Sequence, residues 1–159
     1  MAIEKRELNQ LLSRYFEAYQ GSARAMISLV AWPLSQHKLS FEQYLILRRI
    51  ATSDDVTLND IAVERQVTRS AISRQVKALL SQHYVFQVPD PQDRRRLYLH
   101  LTERGQRVET LVDQAISRQF EIWMTEIGTP QLEQLISTLS DFSERVGQLG
   151  HDGPQSAAQ

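Results

Sequence analysis

The chain has 159 residues, of which 42% are hydrophobic and 23% charged, an ordinary globular composition that excludes a disordered or fibrous polypeptide. It has no cysteine, which excludes a disulfide framework, thiolate zinc, iron–sulfur clusters and a thiol redox switch. The formal net charge is −1, the first residues carry acids where a secretory signal needs bases and apolar side chains, and no apolar run approaches about 20 residues; a soluble cytoplasmic protein without a membrane partner is expected.

Leu8, Leu12, Tyr15, Tyr19, Ala23, Met26 and Val30 recur at steps of three and four. This predicts one long helix over 4–31, ended by Pro33. Ser40 with Gln43 is a capping-box pair that opens a helix over 41–52. Thr57 with Asp60 opens another, whose inner face is Leu58, Ile61 and Ala62 and which stops near Gln66. Thr68 caps a helix over 69–82, with Ile72, Val76, Leu79 and Leu80 inward. The period then changes from helix to strand at 84–88 and 97–101. Between these lies Pro89-Asp-Pro-Gln-Asp-Arg-Arg-Arg96, whose prolines and charges suit a hairpin tip. Thr102 caps a helix over 103–127, Gly128 ends it, and Thr129 caps the last helix with Pro130 at its first position. In that last helix Leu132, Leu135, Leu139, Phe142, Val146 and Leu149 form a heptad seam. Residues 151–159 carry little apolar surface and read as a mobile tail. The fold class is mainly α with a small β-hairpin.

The charge is unevenly placed. Residues 61–107 carry nine bases against four acids, a net +5 that leaves −6 for the rest of the chain. A basic middle between acidic ends suits a module that faces a polyanion. Two short helices joined by a tight link form a helix-turn-helix. On the second of them Ser70, Ser73, Arg74 and Lys77 fall within an arc of about 100°, away from Ile72 and Leu79. Small hydroxyls beside long cations suit a DNA major groove, and Arg69 stands at the helix start, where amides and side chain both meet phosphate. Arg94, Arg95 and Arg96 at the hairpin tip repel one another and serve no core; a wing laid along DNA gives them a partner. Asp93 can pair with one of them and fix its direction.

The run Asp93-Arg94-Arg95-Arg96-Leu97-Tyr98-Leu99-His100-Leu101-Thr102-Glu103-Arg104-Gly105 resembles the wing signature of MarR-type transcription regulators. Leu39-Ser-Phe-Glu-Gln43 is similar to the opening of that family's preceding helix. Ile61-Ala62, Val67-Thr-Arg-Ser70 and Ser73-Arg74 resemble its helix-turn-helix. The resemblance covers about residues 39–105. It implies a winged helix-turn-helix with a helical dimerisation domain, in a homodimer that binds a palindromic double-stranded DNA operator. It also implies a repressor released by a small, often phenolic or lipophilic, effector. Carried over by position, Thr68, Arg69, Ser70, Ser73, Arg74 and Lys77 would be recognition-helix contacts and Arg94, Arg95 and Arg96 wing contacts, with Asp93 orienting the wing. The chain departs from the family at Gln66, where the turn glycine is usual, and at Arg65, where an apolar residue is common. Gln66 is expected to adopt the turn conformation at some cost, or to shift the turn, and Arg65 to reach out to solvent or loosen the packing.

The expected domains are 1–34 (first helix of the dimerisation domain), 35–104 (winged helix-turn-helix), 105–150 (dimerisation helices) and 151–159 (tail). The terminal helices hold more apolar surface than one small domain hides, which predicts a twofold dimer. Phe16, Tyr19, Trp32, His37, Tyr44 and Arg48 form a candidate effector pocket, aromatic walls beside a cation, for an aromatic carboxylate or phenol. The four histidines show no local ligand spacing, and no phosphate loop or nucleophile elbow is present, so neither metal, cofactor nor enzymatic activity is expected. The alternative is a winged-helix interaction adaptor that does not bind DNA, which salt-dependent duplex binding would exclude.

Overall fold

The computed structural model describes residues 5–151. Its elements are α1 (Lys5–Gln36), α2 (Phe41–Ala51), β1 (Val56–Thr57), α3 (Leu58–Glu64), α4 (Arg69–Ser81), β2 (Val85–Pro89), β3 (Leu97–Leu101), α5 (Glu103–Ile127) and α6 (Thr129–His151). Beyond His151, the tail expected at 151–159 lies outside the described residues.

Local chemistry sets most helix boundaries. The capping boxes form as expected: Ser40 Oγ accepts from the Gln43 N–H while the Gln43 side chain accepts from the Ser40 N–H, and Thr57 and Asp60 repeat the exchange. The ends of α1, α3 and α4 share one device. Lys38, Gln66 and His83 all take the left-handed conformation, at φ 52°, 52° and 58°. At each end the next residue's N–H bonds back across the turn, Leu39 to the Leu34 carbonyl, Val67 to Ala62 and Tyr84 to Leu79, at 3.0–3.1 Å. Gln66 thus adopts the turn conformation itself, without shifting the turn. Pro33 does not end α1 but lies inside it. A proline removes one N–H donor from a helix; the turn that ends α1 is secured instead by Leu34 and Leu39, both buried on either side of Lys38.

The three strands form an antiparallel sheet in the order β1-β3-β2. Val85 lies opposite Leu101 and Pro89 opposite Leu97, which makes the expected hairpin. β1 is absent from the sequence reading; Val56 opposite Leu99 and Thr57 opposite Tyr98 give two residues, too few for an alternation to show. Tyr44, Ile46, Leu47, Ile61, Ile72, Leu79 and Leu99 are the centre of the core, joined by Val108 and Val112 from the start of α5. Thr102 caps α5 as expected, accepting from the Gly105 N–H at 2.9 Å and donating to the His83 carbonyl at 2.7 Å. A Cβ at Gly105 would stand 1.9 Å from the Tyr84 carbonyl oxygen, so only glycine lets α5 start this close to the sheet.

The chain divides within α5 into a unit ending at Ser117 and a unit beginning at Arg118. In the second unit Gly128 (φ 98°) links the two helices, and its carbonyl accepts the Leu132 N–H at 3.2 Å, so Gly128 rather than Thr129 occupies the cap position of α6. Of the heptad seam Leu132 is buried, whereas Leu135, Leu139, Phe142, Val146 and Leu149 are exposed. On α1 Leu8, Leu12, Tyr15, Phe16 and Tyr19 are exposed as well. Among the described residues no helix is long and apolar enough to cross a membrane.

Candidate nucleic-acid interface

Helix α4 turns Ile72, Val76 and Leu79 into the core. The opposite face therefore points outward, and Ser70, Ser73, Arg74 and Lys77 are exposed on it, while Arg69 is exposed at the helix start. Thr68 is occupied as the N-cap: its hydroxyl accepts the Ala71 N–H at 3.3 Å and lies 3.1 Å from Ser70 Oγ. Four other arginines are paired with acids, Arg48 with Asp113, Arg49 with Glu64, Arg65 with Glu42 and Arg107 with Glu103. Among the described residues Arg69, Arg74 and Lys77 have no such partner. An exposed row of uncompensated cations beside small hydroxyls can meet a phosphate backbone and the base edges of a major groove. Arg65 reaches Glu42 at 3.0 Å, but its Nη1 is buried without an acceptor; the cation is folded back against α2 rather than extended to solvent.

The wing tip is held by two aspartates. Asp90 Oδ1 accepts from the Gln92 and Asp93 N–H groups at 2.7 and 3.3 Å, and its Oδ2 accepts from the Tyr98 hydroxyl at 2.9 Å. These bonds, led by the one from Gln92, hold the Asp90 carboxyl below the usual aspartate range. Asp93 accepts from the Arg95 backbone N–H at 3.1 Å. Among the described residues it pairs with no guanidinium, so its ordering of the wing goes through the main chain and not through the expected ion pair. Arg94 and Arg95 are exposed and, among the described residues, their side chains have no partner. Arg96 differs: its guanidinium lies 5.2 Å over the Tyr98 ring. The sequence reading misses Asp90 and Tyr98. Their signal was an aspartate three residues before Asp93 in an otherwise basic tip.

The six candidate effector residues are not gathered. Phe16, Tyr19 and Trp32 are exposed on α1, and the 16 residue steps from the first to the last place them about 24 Å apart along a helix of 1.5 Å rise. The His37 carbonyl accepts from the Tyr84 hydroxyl at 3.3 Å. Only Tyr44 and Arg48 converge, both on Asp113 Oδ1 of α5, at 2.8 and 3.5 Å. Burial, and then the bond to Asp113, push the Tyr44 phenol well above its ordinary range and keep it protonated. Glu109, one turn before Asp113 and itself buried, has its carboxyl raised by desolvation and by the Asp113 charge. An apolar groove of about 550 Å³ on α1, lined by Met26, Ile27, Val30, Leu34, Leu39 and Phe41 among others, contains none of the six. Among the described residues no group of three or more histidine or acidic side chains could hold a metal ion.

Known proteins share this fold. Residues 37–96 match the model of the MarR family. An HTH-type transcriptional regulator of Staphylococcus aureus is 24% identical over 144 residues, covering 89% of this chain and 99% of that protein. The homoprotocatechuate degradative operon repressor of Escherichia coli is 26% identical over 113 residues, 69% of this chain and 74% of the other. Among solved structures, that of S. aureus MepR bound to DNA superposes with a TM-score of 0.71 at 21% identity, over 82% of this chain and 97% of that one. That of S. aureus MarR with salicylate and kanamycin gives 0.69 at 23%, over 89% and 96%. The fold is thus a winged helix-turn-helix with additional helices, and these relatives are regulators rather than enzymes.

Proposed function

We propose that the chain, whose residues 37–96 match the MarR family model, is a transcription regulator that works as a homodimeric repressor, binding a palindromic double-stranded operator in the cytoplasm. The observation that carries this reading is the row of exposed cations without acidic partners on α4 (Arg69, Arg74, Lys77) and at the wing tip (Arg94, Arg95), beside Ser70 and Ser73. Thr68 serves the same surface as the cap that starts α4, and Asp93 by ordering the tip. In this reading residues 35–104 are the DNA-binding module, and 1–34 with 105–150 supply the dimer contacts. A second copy covers the apolar stripes of α1 and α6. Two recognition helices then enter successive major grooves about 34–36 Å apart.

The relatives lend the effector part of the proposal its chemistry. A ligand-bound neighbour holds salicylate, and a small aromatic acid that favours a dimer of the wrong spacing would release this chain from DNA by its differential affinity for the two forms. Titrating salicylate into the protein–duplex complex should lower operator affinity; an unchanged affinity would remove this part alone.

Selection of bound duplexes from a random pool, followed by gel-shift titration, tests the main reading. A palindrome with half-sites one helical turn apart is expected, and Arg74→Ala and Arg95→Ala should each weaken binding by about 1–3 kcal/mol with an unchanged melting temperature. Absence of duplex binding at any salt would leave a winged-helix adaptor instead.

A further inference from the structure

The three arginines of the wing tip are not equivalent. Among the described residues the side chains of Arg94 and Arg95 project without partners, but the side chain of Arg96 is engaged. Its guanidinium lies over the Tyr98 ring. Its backbone closes the loop, the carbonyl accepting from the Asp90 N–H and the N–H donating to the Asp93 carbonyl, both at 2.9 Å. Its charge also helps to depress the carboxyls of Asp60, at the start of α3, and of Asp90, at the base of the tip. Tyr98 in turn is tethered by its hydroxyl to Asp90 Oδ2, while Asp90 Oδ1 ties down the amides of Gln92 and Asp93. One carboxylate therefore joins the turn to the ring, and the ring carries the cation.

We propose that Arg96, Tyr98 and Asp90 form a strut that holds the wing tip in shape in the free protein, so that Arg94 and Arg95 alone contact the duplex and Arg96 is a positioning residue. The inference rests on the DNA-binding reading for its consequence but not for its geometry. A guanidinium laid over the Tyr98 ring, on a loop closed through its own backbone, is held back from a phosphate even though it keeps its charge. Arg94 and Arg95 have no such restraint. The sheet register supports the division: Tyr98 pairs with Thr57 of β1 on one side and Val88 of β2 on the other, so the ring that carries Arg96 is anchored in the middle strand.

Two measurements on the full chain decide the matter. The first is amide hydrogen exchange of the tip (Gln92, Asp93, Arg95, Arg96) in the DNA-free protein, for wild type and the variants Arg95→Ala, Arg96→Ala and Tyr98→Phe. The second is the salt dependence of duplex affinity between about 50 and 200 mM. Arg96→Ala and Tyr98→Phe should speed tip exchange several-fold, and Arg95→Ala should leave it unchanged. Arg95→Ala should reduce the slope of log affinity against log salt by about 0.9, the value for one phosphate contact. Arg96→Ala should lower affinity about two- to fivefold, the range of one exposed cation–ring contact, and Tyr98→Phe, which keeps the ring but loses the bond to Asp90, by about two- to tenfold, both at an unchanged slope. The proposal is overturned if tip exchange in Arg96→Ala equals wild type, or if Arg96→Ala reduces the slope as much as Arg95→Ala does. Should the wild-type chain bind no duplex at all, the DNA reading falls and tip exchange still decides whether the strut exists.

Discussion

Helix α4 buries Ile72, Val76 and Leu79 to 2% exposure or less, whereas on α6 the seam residues from Leu135 to Leu149 keep 41–71% of their surface. Both helices are amphipathic, yet the apolar stripe of α4 is buried and that of α6 beyond Leu132 is exposed. Around α4 the winged unit closes its own core with α2, α3, β3 and the first turns of α5, and what it leaves outside is polar and cationic. On α1 and α6 the outside is apolar. Removing apolar area from water is worth about 25 cal/mol per Å², so a stripe of five large side chains is a strong incentive to associate. The middle closes its own core and leaves cations outside, whereas the ends leave apolar side chains outside.

The difference can be broken from either side. Leu79→Ala, at a fully buried position, should cost about 3–5 kcal/mol and lower the melting temperature sharply; a small effect would mean that the winged unit lacks the tight core described. Phe142→Glu on α6, exposed in the single chain, should leave helicity by circular dichroism intact but weaken self-association by about 2–4 kcal/mol, read as a shift to half the mass in sedimentation. Unchanged mass would remove α6 from the interface. Gln66→Gly relieves a side chain held at φ 52° in the turn between α3 and α4 and should stabilise by about 1 kcal/mol. Smallest is Glu109→Gln, which probes the one acid that is buried among the described residues. Its raised carboxyl pKa means that the fold holds this proton more tightly than the unfolded chain does. Its contribution is therefore fully present below the unfolded value of about 4.3 and is lost as pH rises through the folded value. The variant should be more stable than wild type at neutral pH, with the gap closing as pH falls below the unfolded value, as urea titrations at neutral and acid pH would report.

Local signals carried most of the fold. Ser40, Thr57, Thr68 and Thr102 each announce a helix start because a cap needs only a hydroxyl and an amide within three residues. The exposed arc of α4 follows from 100° per residue. Long-range contacts were not legible. β1 exists only because β3 runs beside it, and α1 continues past Pro33 because Leu34 and Leu39 find a buried seat. The expected Asp93 ion pair gave way to a nearer donor, the Arg95 amide. The effector residues scattered because neighbours in sequence on a straight helix are not neighbours in a cavity; Tyr44 and Arg48, one turn apart, met only because Asp113 of α5 lies across from both.

Sedimentation equilibrium of the full chain, alone and with a duplex carrying the selected palindrome, tests the central claim most directly. Twice the chain mass of 18.3 kDa is expected in the absence of DNA, and two chains per duplex in its presence. A single 18.3 kDa particle that binds no duplex at low salt would contradict it.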